Sequence, residues 1–160
     1  MDIDRFRRIL EPGIRRVLHF YWRFARPMTL GVRAVVVDRE GRVFLVKPSY
    51  VAGWHLPGGG VEVGETLRVS LARELLEEGG ITAVGPIALH GVFFNARVSR
   101  RDHVAVYVLR DVHQEGVPRN PREIIGHGFF ARDALPADTT RGTRARIAEV
   151  FDGVPMTEQW

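Results

Sequence analysis

Cysteine is absent from all 160 residues. That gap excludes a thiol nucleophile, cysteine-ligated zinc and a disulfide framework, and it fits a reducing compartment. Lysine is nearly absent too. Lys47 is the only one, so 22 of the 23 basic residues are arginine. No apolar run approaches the roughly 20 residues that cross a bilayer. Asp2, Asp4 and Glu11 interrupt the basic N-terminus, which therefore does not read as a signal peptide. The expected location is the cytoplasm. A formal charge of +4 is too small to argue for DNA binding, although it helps steer polyanionic substrates.

The length fits one domain with little room for a second. Residues 3–26 read as helical, with a first turn over 5–10 and a helix over 12–25 after Pro12-Gly13. Ile14, Val17, Leu18, Tyr21 and Ala25 fall at helical spacing, flanked by Arg15, Arg16, Arg23 and Arg26. From Gly31 the pattern changes to strands over 32–37 and 43–46, with a turn between them. After the glycine-rich corner at 57–60, Thr66 is placed to cap a helix over 67–78, which Gly79-Gly80 stops. Strands are expected over 87–94, 103–109 and 123–130, a long loop over 113–122, and a last helix over 143–151. Strands on both sides of a central helix, with further helix at both ends, predict an α/β layered fold with a mixed sheet.

The central helix carries the chemistry. At about 100° per residue, Glu74, Glu77 and Glu78 share roughly 100° of arc, and Leu71, Ala72, Leu75 and Leu76 occupy the neighbouring arc. One side can enter a core while three carboxylates converge. Converging carboxylates raise one another's pKa values unless a cation relieves them, and oxygen ligands are what Mg²⁺ and Mn²⁺ prefer. A solvated acidic helix face is the plainer reading of three glutamates alone. Against it stands the glycine-rich corner before the helix, where a backbone without side chains admits a close carbonyl or phosphate.

Residues 59–81 resemble the Nudix box: a glycine, five residues, a glutamate, seven residues, then Arg-Glu-aliphatic-x-Glu-Glu-x-Gly-aliphatic. Gly59, Glu65, Arg73, Glu74, Leu75, Glu77, Glu78, Gly80 and Ile81 fill every specified position. Chance would deliver the seven identities roughly once in 10⁸ windows. The approach Trp54-His55-Leu56-Pro57-Gly58-Gly59 and the later Glu123-Ile124, Phe129-Phe130 and Leu135-Pro136 are also similar to the family pattern. The resemblance implies an α/β/α sandwich over 31–160, with 1–30 as an N-terminal helical extension outside it. It also implies metal-dependent hydrolysis of a phosphoanhydride bond in a nucleoside diphosphate linked to another group. The expected cation is Mg²⁺, with Mn²⁺ as a substitute.

Carried over residue by residue, the resemblance makes Glu77 and Glu78 the main metal ligands. Glu74 is a third ligand or the base that activates water, and the Gly59 carbonyl is a further ligand. Glu65 and Arg73 resemble the supporting pair that orients the carboxylates. Glu123 is a candidate distal ligand or base, and the choice between Glu74 and Glu123 stays open. Tyr50, Trp54, Phe93 and Phe94 are candidates to stack on a base, although aromatics beside strands are more often core. Arg33, Lys47, Arg97, Arg100 and Arg101 are candidates to meet phosphates, against the plainer reading of solvated cations. His55, His90 and His103 read as structural or surface residues. Nucleoside triphosphates, ADP-ribose or nucleotide sugars, and dinucleoside polyphosphates all remain as substrates. An RNA 5′-end pyrophosphohydrolase is the alternative, and the intact glutamates argue against a non-catalytic nucleotide-binding module. The N-terminal helix is expected to pack against protein, a homodimer being the sharper form, with membrane contact the lesser reading.

Overall fold

A computed structural model describes residues 15–18, 20–22, 24–25, 27–115 and 122–160. Residues 15–18, 20–22 and 24–25 are helical and constitute α1. The expected first turn over 5–10 lies outside the described residues, as does most of the loop over 113–122. After α1 come β1 (Thr29–Val36), β2 (Val43–Pro48), α2 (Leu67–Gly79), β3 (Ile81–Ala83), β4 (Ile87–Phe94) and β5 (Asp102–Leu109). Then follow β6 (Val112–Gln114), β7 (Ile124–Phe130), a 3₁₀ turn at Arg132–Ala134 and α3 (Arg141–Phe151).

The sheet is mixed. β5 lies between β1, which runs parallel to it from Thr29↔Asp102 to Val36↔Leu109, and β4, which runs antiparallel. β2 pairs antiparallel with β7, and β3 with β6. A parallel pair needs a long crossover, and the chain between β1 and β5 supplies it, including α2.

The strands at the centre are apolar on both faces because helices cover both. Val32, Ala34 and Val36 of β1 point with Phe44 and Val46 of β2 toward Leu71 and Leu75 of α2. The alternate residues Val35, Val43 and Leu45 point the other way, toward Ile147 of α3. This period-two split between two cores is what a sheet buried on both sides requires. Leu71 and Leu75 are almost fully buried, and each such side chain contributes about 2 kcal/mol to holding α2 on the sheet. The Thr66 hydroxyl accepts the Val69 N–H at the start of α2, and Gly80 ends the helix by returning its N–H to the carbonyls of Leu75 and Leu76.

The α/β/α sandwich agrees with the expected fold. Two paired strands, β3 and β6, were not expected; at three residues each they are too short to show an alternating pattern. β1 begins at Thr29 rather than 32 because its first residues pair with the start of β5. Val17, Phe20, Tyr21 and Phe24 of α1 are exposed among the described residues.

Candidate active site

α2 and the glycine corner before it build the acidic centre. Leu71 and Leu75 seat one side of α2 in the core, which turns Glu74 and Glu78 against the corner. Glu78 is only 8 % exposed, and the Gly58 N–H donates to its Oε2 at 2.7 Å. Burial pushes the Glu78 carboxyl up to about 7, with Arg33 and the Gly58 N–H opposing and Glu74 and Glu123 reinforcing the rise. The Glu74 carboxyl is also raised by burial, against the pull of Arg73.

Arg73 organises the outer side of this cluster. Its Nε and Nη2 donate to the two oxygens of Glu65 at 3.1 and 3.2 Å, and its Nη1 donates to Glu74 at 2.7 Å. The hydrogen bond from Arg73 is the largest influence holding the Glu65 carboxyl below its ordinary value. Glu77 is more exposed and lies 3.5 Å from the same guanidinium. One planar fork therefore fixes two carboxylates and borders a third. Glu65 and Arg73 are thus joined directly, with Glu74 on the same guanidinium.

The corner itself is pinned to β1. The Ala34 N–H donates to the Pro57 carbonyl at 3.0 Å and the Val32 N–H to the Gly59 carbonyl at 2.9 Å. That bond uses one lone pair of Gly59. Gly58 has φ +138°, and a Cβ there would collide with the Val32 carbonyl oxygen. A Cβ on Gly59 would collide with the Glu74 carboxylate. Absence of a side chain at both positions is what lets backbone and carboxylates meet.

Several expected residues gather here. The Arg33 Nη1 donates to the Leu56 carbonyl at 2.9 Å, and its charge acts on Glu74, Glu78 and Tyr50. Glu123 stands just before β7, where its own carbonyl accepts the Ser49 N–H at 2.7 Å. Its charge reaches both Glu78 and Tyr50. The Tyr50 hydroxyl is pushed up by partial burial first and by Glu78 second.

Others lie elsewhere. The Lys47 ammonium is paired with Asp138 at 2.9 Å. Trp54 sits edge-on to Phe130, centroids 4.8 Å apart, against the core. Phe93 is fully buried, and the Phe94 ring lies against His103. Arg100 and Arg101 belong to the exposed turn between β4 and β5.

A cavity of about 560 Å³ adjoins the corner, bordered by Arg33, Tyr50, His55, Gly59, Asn95 and Trp160 among others. Its polar wall escaped sequence reasoning. The buried Asn95 donates from Nδ2 to Asp102 at 2.8 Å, and the Thr29 hydroxyl donates to the other oxygen of Asp102 at 2.6 Å. Trp160 comes from the C-terminal tail, which returns beside β4: the Phe94 N–H donates to the Glu158 carbonyl and the Trp160 N–H to the Phe94 carbonyl. Beneath it the buried Arg146 donates to the Gln159 carbonyl and stacks 3.7 Å above the Phe93 ring. Only the spacing of strand ends across the sheet brings these residues together, and no local motif announces it.

The donor set suits a hard divalent cation. It consists of carboxylate oxygens and backbone carbonyls, and it includes a buried carboxyl whose negative charge burial penalises. Among the described residues, no three Asp, Glu or His side chains are gathered about one point.

Comparison with known proteins follows the same line. The model of the NUDIX domain matches residues 27–151. A "MutT-like protein" of Streptomyces ambofaciens is 31 % identical over 125 residues, covering 78 % of each chain. A Mycobacterium tuberculosis relative bearing the provisional name 8-oxo-dGTP diphosphatase 2 is 60 % identical over 113 residues, covering 68 % of this chain and 78 % of that one. The crystal structure of a MutT NUDIX hydrolase from Burkholderia pseudomallei superposes with a TM-score of 0.67 at 30 % identity, covering 76 % of this chain and 97 % of that one.

Proposed function

The chain belongs to the Nudix family, hydrolases that act on phosphoanhydrides and generally depend on divalent metal; from that premise we propose that it hydrolyses a nucleoside triphosphate to the monophosphate and pyrophosphate with Mg²⁺. The observation that carries this reading is the buried Glu78 against a glycine corner that opens into a cavity of about 560 Å³. Such a volume suits one nucleoside, with its phosphates at the corner. Asn95 and Asp102 offer an amide and a carboxylate to the base edge. The provisional name of the mycobacterial relative supports including oxidised purines among the candidates.

Glu77 and Glu78, joined by Glu74 or the Gly59 carbonyl, are the residues that would hold Mg²⁺, which when bound neutralises charge on the phosphate oxygens. Arg33 faces the anionic centre from β1 and is the residue we assign to the phosphates. Arg73 keeps Glu65 and Glu74 in place and touches no substrate. We assign the base to Glu123. Glu74 already accepts a hydrogen bond from Arg73 and lies against Gly59, whereas Glu123 approaches from the turn before β7 and is exposed to solvent. Its carboxylate takes the proton of the attacking water as the bond between the α- and β-phosphates breaks.

Purified protein assayed against nucleoside triphosphates, 8-oxo-dGTP, ADP-ribose, a dinucleoside polyphosphate and 5′-triphosphorylated RNA tests the reading. Triphosphates are expected to be the best substrates with Mg²⁺ or Mn²⁺ and to be inert with chelator. Preference for ADP-ribose or RNA would move the substrate assignment, and no turnover of any of them would refute the activity. Glu123→Gln is expected to lower kcat about a hundred-fold with KM changed only a few-fold. A nearly silent Glu123→Gln beside a crippling Glu74→Gln would transfer the base to Glu74.

A further inference from the structure

α1 carries an apolar face that the described residues leave bare. Val17, Phe20, Tyr21 and Phe24 are exposed at 70, 68, 63 and 67 %. The Phe20 and Phe24 rings, four positions apart on one side of the helix, meet edge to face with centroids 5.2 Å apart. A cluster of exposed aromatics marks a surface that meets another apolar phase.

Charge says which phase. Seven of the 22 arginines fall within residues 1–26, against Asp2, Asp4 and Glu11. This segment therefore holds the entire +4 surplus, and the rest of the chain is balanced. Arg15 and Arg16, both exposed, stand on the helix itself.

We propose that α1 is an interfacial anchor lying flat on a bilayer with anionic headgroups. Phe20 and Phe24 enter the boundary between headgroups and acyl chains, and the arginines meet lipid phosphates. The helix lies on the bilayer rather than through it. Among the described residues no helix is long and apolar enough to cross. A second copy fits less well. A closed symmetric pair would bring the same arginine-bearing surfaces together, and like charges repel where an anionic surface attracts.

Sedimentation of the full chain with vesicles of phosphatidylcholine, alone or with about one-quarter phosphatidylglycerol, tests the anchor. Binding is expected only to the anionic vesicles and should weaken as salt rises. Phe20→Ser with Phe24→Ser should abolish it, and Arg15→Gln with Arg16→Gln should weaken it about five-fold per arginine. Both variants should keep the melting temperature of the parent, because the altered side chains are exposed. A parent protein that stays in the supernatant with anionic vesicles overturns the proposal. So does a dimer that the double phenylalanine variant converts to a monomer while no form binds vesicles.

Discussion

Glu78→Gln is expected to lower kcat by about a thousand-fold while leaving the fold intact, because it removes a charge from the centre of the proposed metal site without changing shape. Glutamine is close to glutamate in volume, and its amide oxygen still accepts the Gly58 N–H that now reaches Oε2. What is lost is the negative oxygen. A variant with the parent rate at saturating Mg²⁺ would sink the ligand role. Stability should move oppositely and separates charge from structure. The folded carboxyl titrates at about 7, above the ordinary value of 4.5. Between those values the folded protein keeps a proton that the unfolded chain releases. The chelator-treated parent should therefore lose stability as pH rises from 4.5 toward 7, by up to about 3 kcal/mol from this group. Glu78→Gln should lose less across that window, so the difference between the two melting curves widens with pH. Parallel curves would show that Glu78 is not protonated in the metal-free fold.

Gly58→Ala should damage the fold itself, lowering stability by at least about 3 kcal/mol and the melting temperature by roughly 10 °C. Two effects combine at this position. Its φ of +138° is a conformation that side chains rarely adopt, and a Cβ would also drive into the Val32 carbonyl and lie 2.9 Å from the Cα of Arg33. The obstacle is backbone in the central strand, which cannot swing aside as a side chain could. Gly60→Ala is the matched control: no atom lies within 4 Å of its added Cβ, so a change under about 0.5 kcal/mol is expected. If the two variants melt together, the corner is softer than its hydrogen bonds to β1 imply.

Much of the acidic centre was legible because the helix spacing does the geometric work. Glu74 and Glu78 are four residues apart, and an amphipathic helix with Leu71 and Leu75 in the core must turn both toward one side. The glycine corner was legible for the same reason, since three successive glycines before a capped helix leave few structural readings. Glu65 and Arg73 were paired by the resemblance alone; that Arg73 also grips Glu74, with a separate nitrogen, was not legible, because it depends on the path of the 60–65 loop. The cavity wall was hidden more deeply. Asn95, Asp102 and Thr29 meet only because β1, β4 and β5 lie side by side, and Trp160 enters only because the tail returns to Phe94. Lys47 and Trp54 have suitable chemistry near the motif, and in the fold Lys47 pairs with Asp138 while Trp54 packs edge-on to Phe130.

The parallel pairing of β1 with β5 has a bearing on how the protein comes to fold. Thr29 and Asp102 are 73 positions apart in the chain, and that span must close before their ladder gains a single bond. The entropy of closing a long loop is spent before the contact that rewards it, which makes such pairings slow relative to helix formation. β1 also holds the glycine corner through Val32 and Ala34. α2, with its three glutamates, can acquire its helical turns early, whereas the corner, the cavity wall and their registration against Glu78 wait for the central strands to find each other. The proposed catalytic face is thus expected to form late in folding, and a chain stalled with β1 unpaired would carry its acidic helix without the backbone that aims it.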